Sequence, residues 1–173
     1  MKKILLAGVI SFAMVGCVAP AAYQKVESLN EVSQVVEVNG HTQKQIFDAS
    51  KIWMAKNFKS ANDVIQYSDL STGTIVGKGS MQYPCSGAMD CMANAKDLVT
   101  FTIKIDTKDN RARVSFNDLI WKKLPSASGG IVTPGGEYPL NMAQPRKVVE
   151  TKLNSLIEQY KVDIVNQKSD SNW

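Results

Sequence analysis

The sequence has a single histidine and three cysteines among its 173 residues, so it offers few groups for catalysis or metal binding. Hydrolytic chemistry needs a nucleophile with a base, paired carboxylates or a metal cluster. No serine–aspartate pair can be assigned to His41, which we expect to be solvated beside a helix cap. Asp63, Asp69 and Asp118 fall at predicted turns or strand ends, where aspartate commonly makes local hydrogen bonds. We therefore expect no enzyme, no cofactor and no metal.

Net charge is also low, at +4, and it falls to +2 if Lys2 and Lys3 are removed. Nucleic-acid-binding domains normally carry a much stronger basic character, so nucleic acid is not an expected partner. The sequence has no internal repeat and no low-complexity tract, and its length suits one domain with a real core.

The first twenty residues, "MKKILLAGVISFAMVGCVAP", have the pattern of an export signal: two lysines followed by a short apolar run. The run over 4–15 is too short for a permanent membrane span. Met14-Val15-Gly16-Cys17 resembles the lipobox of bacterial lipoproteins, although leucine is more usual at the position of Met14. The resemblance implies removal of residues 1–16 and acylation of Cys17. The alternatives are an ordinary secretory signal with a chance cysteine, or a membrane anchor.

These features predict that the chain is divided into four segments. Residues 1–16 are the signal peptide, 17–30 a tether, 31–168 a single domain and 169–173 a polar tail. Acyl chains on Cys17 would attach the domain to a membrane. Val18 stands where resembling inner-membrane lipoproteins often carry aspartate, which points to the outer membrane, with the domain in the periplasm or at the cell surface.

Cys85 and Cys91 remain once Cys17 is assigned to lipid. Five intervening residues suit a short loop closed by a structural disulfide in an oxidising compartment. Free thiols and a redox-active pair are the alternatives, although redox pairs are more usually spaced C-x-x-C. Two thiolates alone make a poor zinc site.

Residues 71–80, "STGTIVGKGS", contain much of a phosphate-binding loop. Such a loop has the form G-x-x-x-x-G-K-[ST] between a strand and a helix. Here only three residues separate Gly73 from Gly77, Gly79 replaces the required hydroxyl, and no helix start follows. The period-two pattern instead predicts a strand. Gly77 and Gly79 share one face of it, which leaves space for a helix or an aromatic ring.

Further periodicity predicts the other elements. A strand over 33–38 precedes a helix whose start has a capping box formed by Thr42 and Gln45. After a short strand over 63–68 and the glycine-containing strand, two alternating strands meet at a hairpin turn over 107–110. A loop over 125–139 leads to a last helix with Pro145 near its start. The predicted apolar helix faces comprise Ile46, Phe47, Ser50, Trp53, Met54 and Phe58, and Val149, Leu153, Leu156, Ile157, Tyr160 and Ile164.

The expected fold is an α+β two-layer sandwich in the order β-α-β-β-β-β-α. Its antiparallel sheet of about five strands carries two helices on one face and leaves the other face polar and open. The segments "IQYSDLSTGTIVGKG" and "DNRARVSFND", with the helix that contains Trp53 and Phe58, resemble a bacterial family of unknown function with a TBP-like fold over 42–120. The resemblance implies no catalytic residue.

Two functional hypotheses follow for a protein with this expected fold and this predicted location in the cell envelope. In the first, the domain is a non-catalytic binding or accessory module, and its polar sheet face contacts an envelope protein or an anionic surface component. In the second, it is a small-ligand carrier with a site between helices and sheet, above Gly77 and Gly79. Four outward-facing cations would contact an anionic partner in the first case: Lys78, Lys104, Arg111 and Arg113.

Overall fold

The computed structural model describes residues 21, 24–58, 65–128 and 130–167. The predicted signal peptide, Cys17 and the tail over 169–173 lie outside the described residues. Within the described part of the chain there are three helices and eight strands. They are β1 (Glu31–Glu37), α1 (Gln43–Asn57), β2 (Ile65–Asp69), β3 (Thr74–Gln82), α2 (Ala88–Asn94), β4 (Leu98–Lys108), β5 (Arg111–Lys123), β6 (Ser126–Ser128), β7 (Ile131–Thr133), β8 (Gly136–Pro139) and α3 (Ala143–Asn166).

The main sheet is antiparallel, in the order β1-β5-β4-β3-β2, and β8 pairs with the later part of β5 beyond the end of β1. The predicted α+β fold, with an antiparallel sheet, is confirmed. The sheet has one strand more than the five expected, because β8 forms within the predicted loop over 125–139. Proline at the end of β8 and glycine at its start are tolerated because this short strand lies at a sheet edge.

The predicted capping box opens α1. The backbone N–H of Gln45 donates to the Thr42 hydroxyl, and the Thr42 N–H donates to Oε1 of Gln45 at 2.9 Å. These bonds satisfy two of the amide donors that a helix start leaves unpaired. The residues predicted for the apolar face of α1 are all buried.

Aromatic rings fill the space between the helices and the sheet. Trp53 on α1 makes edge-to-face contacts with Phe58 and Tyr160, at centroid separations of 5.4 and 5.1 Å. Phe58 contacts Phe101 on β4, which in turn contacts Phe116 on β5 at 5.1 Å. This chain of rings joins both long helices to the two central strands.

Helix α3 buries five of the six side chains predicted for its apolar face, and Leu156 is partly buried. Its Tyr160 hydroxyl lies 2.8 Å from the Ser50 hydroxyl, which in turn donates to the carbonyl oxygen of Ile46 at 2.6 Å. Tyr160 is therefore the donor to Ser50. Burial raises the pKa of Tyr160 well above its ordinary value, because the phenolate would lose its hydration.

This burial makes stability sensitive to alkaline pH. Above pH about 10 the unfolded chain releases the Tyr160 proton while the folded chain keeps it. The stabilisation is fully present below that pH, and we expect it to be lost at up to about 1.4 kcal/mol per pH unit above it. Urea unfolding between pH 9 and pH 11 should show a shallower decline for Tyr160→Phe than for wild type. Tyr138→Phe, at a tyrosine that is 46% exposed, is the control and should keep the wild-type slope. Equal slopes for all three proteins would contradict the prediction.

The turn between β2 and β3 uses the local hydrogen bonds predicted for Asp69. The hydroxyl and the backbone N–H of Ser71 donate to one Asp69 carboxylate oxygen at 2.7 and 2.8 Å. These bonds hold the pKa of Asp69 below its usual range. Gly73 closes the turn with a φ of 69°, a backbone conformation that favours glycine.

The segment predicted as a tether over 17–30 is not a free linker in its described part. The N–H groups of Val26 and Leu29 donate to the carbonyl oxygens of Asn141 and Leu140, and Leu29 is buried in the core. The N–H of Ala143 donates to the carbonyl oxygen of Gln24 at 3.0 Å. The folded domain therefore begins before residue 31, because these residues pack beside the start of α3.

A disulfide joins Cys85 and Cys91, which is the first of the three alternatives considered for these cysteines. The segment that it closes was expected to be a loop, but the short helix α2 begins within it, at Ala88. The Asp90 carboxylate accepts hydrogen bonds from the backbone N–H of Ser86 and from the Asn94 side chain, both at 2.8 Å. A helix of this length is not stable alone, so the cross-link and these bonds are what hold it.

Candidate functional site

The two faces of the main sheet differ in what covers them. The inner face carries Ile75, Ile103 and Val114, all fully buried beneath α1 and α3. Neither of these long helices covers the opposite face, called here the outer face. The expectation of one covered and one open face therefore holds for the described residues.

The outer face carries the four cations predicted from the alternation of β3, β4 and β5. Strand register places Arg113 opposite Asp106, Lys104 opposite Ser115, and Lys78 opposite Thr102. From Arg113 to Lys104 and from Lys104 to Lys78, each step therefore crosses to the neighbouring strand and shifts by one outward-facing position. Diagonal neighbours of this kind lie about 7–8 Å apart. The result is a diagonal line across three strands, here called the cationic band: Arg111, Arg113, Lys104 and Lys78.

The four members of the cationic band differ in how far their charge is balanced. The Lys104 ammonium group donates to the Asp106 carboxylate at 2.8 Å. Among the described residues, Arg111, Arg113 and Lys78 form no salt bridge, and all three are exposed. Three cations are therefore available to an anionic partner. Sequence reasoning missed Asp106, although the same alternation in "TIKID" places it on the face of Lys104.

A depression of about 350 Å³ lies at the end of the band nearest the β4–β5 turn. Arg111, Arg113 and Asp106 line it together with Val35, which is 53% exposed. Two guanidinium groups beside one carboxylate and an apolar side chain suit a phosphate or carboxylate ligand, since arginine binds such groups through two parallel hydrogen bonds.

A second depression, of about 560 Å³, surrounds the other end of the band at Lys78. Thr100 and Thr102 line it, and the Thr102 hydroxyl donates to the Asp118 carboxylate at 2.8 Å. Asp118 has a φ of 53° where the β4–β5 register shifts. Asp118 was expected to make a local bond at a strand end, but it lies within β5 and its bond is to a residue of the neighbouring strand.

The space above Gly79, where a carrier would hold its ligand, is occupied by protein side chains. A Cβ atom added at Gly79 would lie 2.7 Å from the ring of Phe101. An aromatic ring therefore packs against this glycine, as predicted, and the ring belongs to the neighbouring strand β4.

His41 is buried, with 7% of its surface exposed, so the expectation that it is solvated is wrong. Its Nδ1 lies 3.1 Å from the carbonyl oxygen of Asn39. The backbone N–H of Asn110 donates to the His41 carbonyl oxygen at 2.9 Å. The β4–β5 turn thus packs against the start of α1, a contact between segments far apart in sequence that the local pattern around a helix cap does not reveal.

Within the described ranges, no cluster of three or more His, Cys, Asp or Glu side chains could hold a metal ion. A helix long and apolar enough to cross a membrane is likewise not found in the part of the chain that the structure describes.

Two solved structures share this fold over most of the chain. A TBP-like protein from Parabacteroides distasonis matches with a TM-score of 0.61 and 15% identity, over 85% of this chain and 99% of that one. A DUF4468 family protein from Bacteroides ovatus matches with a TM-score of 0.54 and 18% identity, over 83% of this chain and 88% of that one. At such low identity these likenesses show the fold alone.

No curated protein sequence gave a match. A family model does match, and it is described as a domain of unknown function (DUF4468) with a TBP-like fold. The matched residues, 33–121, begin in β1 and include the whole of β2, β3 and β4 and most of β5. They include the segments on which the resemblance was based and amount to slightly more than half of the chain. The chain therefore belongs to the DUF4468 family of domains of unknown function with a TBP-like fold.

Proposed function

We propose that this protein is an envelope lipoprotein, anchored through Cys17, whose domain is a non-catalytic module that binds an anionic partner through the cationic band. The observation that carries the proposal is the open outer face with three exposed cations, Lys78, Arg111 and Arg113, that have no salt-bridge partner among the described residues. The lipobox-like Met14-Val15-Gly16-Cys17 supports the membrane anchor.

The chemistry of the band favours a partner with several negative charges. Its cations are spread over three strands, so one isolated carboxylate could not contact all of them. Phosphates of lipopolysaccharide, anionic lipid headgroups or an acidic surface of an envelope protein would match this spacing and charge. An exported domain does not meet nucleic acid, which is why the TBP-like fold is not taken as a sign of DNA binding.

The packing between helices and sheet makes the carrier hypothesis the weaker one. Phe101 covers Gly79, and the ring contacts continue from there to Phe58 on one side and Phe116 on the other. A ligand above Gly79 would have to displace these rings from the core.

Reversing two charges tests the band. In the double variant Arg111→Glu, Arg113→Glu, two attractive charges become repulsive. Because each cation near an anionic surface contributes about 1 kcal/mol, we expect a loss of about 2 kcal/mol or more, which is about 30-fold or more in affinity. Binding of the full chain to inorganic polyphosphate, used as a model polyanion, should be measured at several salt concentrations. Material cross-linked to the protein in intact cells should be recovered with each variant in parallel.

The matched control is Lys152→Glu, Lys161→Glu, which makes the same change in net charge at exposed positions of α3. We expect this control to retain most of the affinity for polyphosphate and to recover the same cross-linked material as wild type. If the two double variants weaken binding equally, net charge is responsible and the band is not a site. Unchanged binding and recovery in the Arg111, Arg113 variant would also exclude the band.

A further inference from the structure

Helix α2 exposes two large apolar side chains almost completely. Met89 and Met92 are 84% and 88% exposed. They are three residues apart and so lie on one side of the helix. The opposite side is fixed to the domain, since Asp90 and Asn94 are buried and the disulfide joins Cys91 to Cys85. The two methionines are therefore presented on a firmly held element.

The exposed part of this element contains no acidic group. In α2, all of which is described, the exposed residues are two alanines and two methionines, and the only acidic residue, Asp90, is 8% exposed. Lys96, just after the helix, is exposed. An apolar surface with a neighbouring cation suits the boundary between the acyl chains and the anionic headgroups of a bilayer, and methionine adapts its shape readily to such a surface.

The chain just before α2 and the chain that leads back to the predicted anchor are both bonded to the start of α3. The Gln144 side chain donates to the carbonyl oxygen of Ser86 at 3.1 Å, and the preceding residue, Ala143, donates to Gln24 at 3.0 Å. The chain on the N-terminal side of α2 and the chain leading back to Cys17 thus meet at the start of α3. Gln24 follows Cys17 by seven residues, which span about 25 Å at most when fully extended.

We infer that the exposed side of α2, with Met89 and Met92, contacts the bilayer surface in which the acyl chains of Cys17 are held. The inference rests on the proposed lipid anchor and adds a second, non-covalent contact to it. Acyl chains alone would leave the domain free to rotate on its short link, whereas contact through α2 gives it one orientation relative to the membrane.

Photochemical cross-linking tests this contact in the full acylated chain. A photoreactive diazirine amino acid is placed at position 89 or 92, and the protein is reconstituted in vesicles of phosphatidylethanolamine and phosphatidylglycerol. The control position is 162, because Val162 is 52% exposed near the far end of α3, about 27 Å along that helix from Gln144. Mass spectrometry then identifies what each position has captured, and the intact mass reports whether Cys17 is acylated.

We expect phospholipid adducts at positions 89 and 92, with only background at 162. An acylated protein that captures only water at 89 and 92, or that captures lipid equally at 162, overturns this inference and leaves the proposed anchor intact. Capture of another protein in place of lipid at 89 and 92, tested in native membranes, also overturns it, since α2 would then be a protein contact. A chain without acyl groups overturns the anchor and this inference together, and the intact mass distinguishes that case.

Discussion

Replacing Trp53 with alanine is expected to lower the free energy of unfolding by about 3–5 kcal/mol. Trp53 is 1% exposed, and its ring lies against Phe58 and Tyr160 where the two long helices meet. Its indole N–H also donates to the Asp163 carboxylate at 3.1 Å. The variant would lose the buried apolar surface, the ring contacts and this bond, and would leave a cavity. Since small domains are stable by only about 5–15 kcal/mol, the loss is a large part of the total.

The measurement is urea unfolding of the wild type and three variants, followed by circular dichroism. Trp53→Phe keeps most of the ring packing and should lie between wild type and Trp53→Ala. Ile52→Ala, at the neighbouring residue on the exposed side of α1, should change stability by less than about 1 kcal/mol, as Ile52 is 48% exposed. If Trp53→Ala is no more damaging than Ile52→Ala, the packing described for the centre of the core is incorrect.

The second large effect concerns Cys17, whose replacement by serine is expected to abolish acylation completely. The intact mass of protein extracted from membranes should correspond to residues 17–173 plus acyl chains, and Cys17→Ser should show no acyl mass. Stable anchoring takes two acyl chains, or one chain with a further signal. Because the lipobox-like motif predicts acylation at Cys17, loss of this cysteine should remove the protein's attachment to the membrane. Reduction should also raise the wild-type mass by the two hydrogens taken up when a disulfide is reduced.

The double variant Cys85→Ser, Cys91→Ser is the matched control. It should keep the acyl mass and lose the response to reductant, while Cys17→Ser should keep the response and lose the acyl mass. A wild-type chain that begins at Met1, without acyl groups and with free thiols, would place the protein in the cytoplasm. In that case the anchor would be wrong, and the cationic band would have to be tested against nucleic acid.

Much of the fold was predictable because the relevant signals are local. The capping box at Thr42 and Gln45 needs residues only three positions apart. The alternation that places Ile103 and Ile105 inside and Lys104 outside depends only on the two-residue period of a strand. The same period distinguished β3 from a phosphate-binding loop, even though Gly77 and Gly79 made the segment look like one.

Other features depend on contacts that local patterns do not contain. β8 forms because a stretch with glycine and proline finds the free edge of β5, and His41 is buried because a distant turn packs on it. The short helix α2 was not predicted because two nearby cysteines suggested a loop, although a disulfide is equally compatible with a helix that begins between them.

The sequence by itself determined the α+β class, the two helix faces and the outward direction of the four cations, because each depends on neighbouring residues or on a short period. The lipid anchor at Cys17 stays a prediction from the sequence. Only the tertiary structure decided that these cations form a diagonal band with Lys104 paired to Asp106, since that arrangement depends on strand register. It also decided that residues 24–29 belong to the domain and that the chain just before α2 is bonded to the start of α3. Those positions follow from hydrogen bonds across long stretches of chain, and only folding brings their partners together.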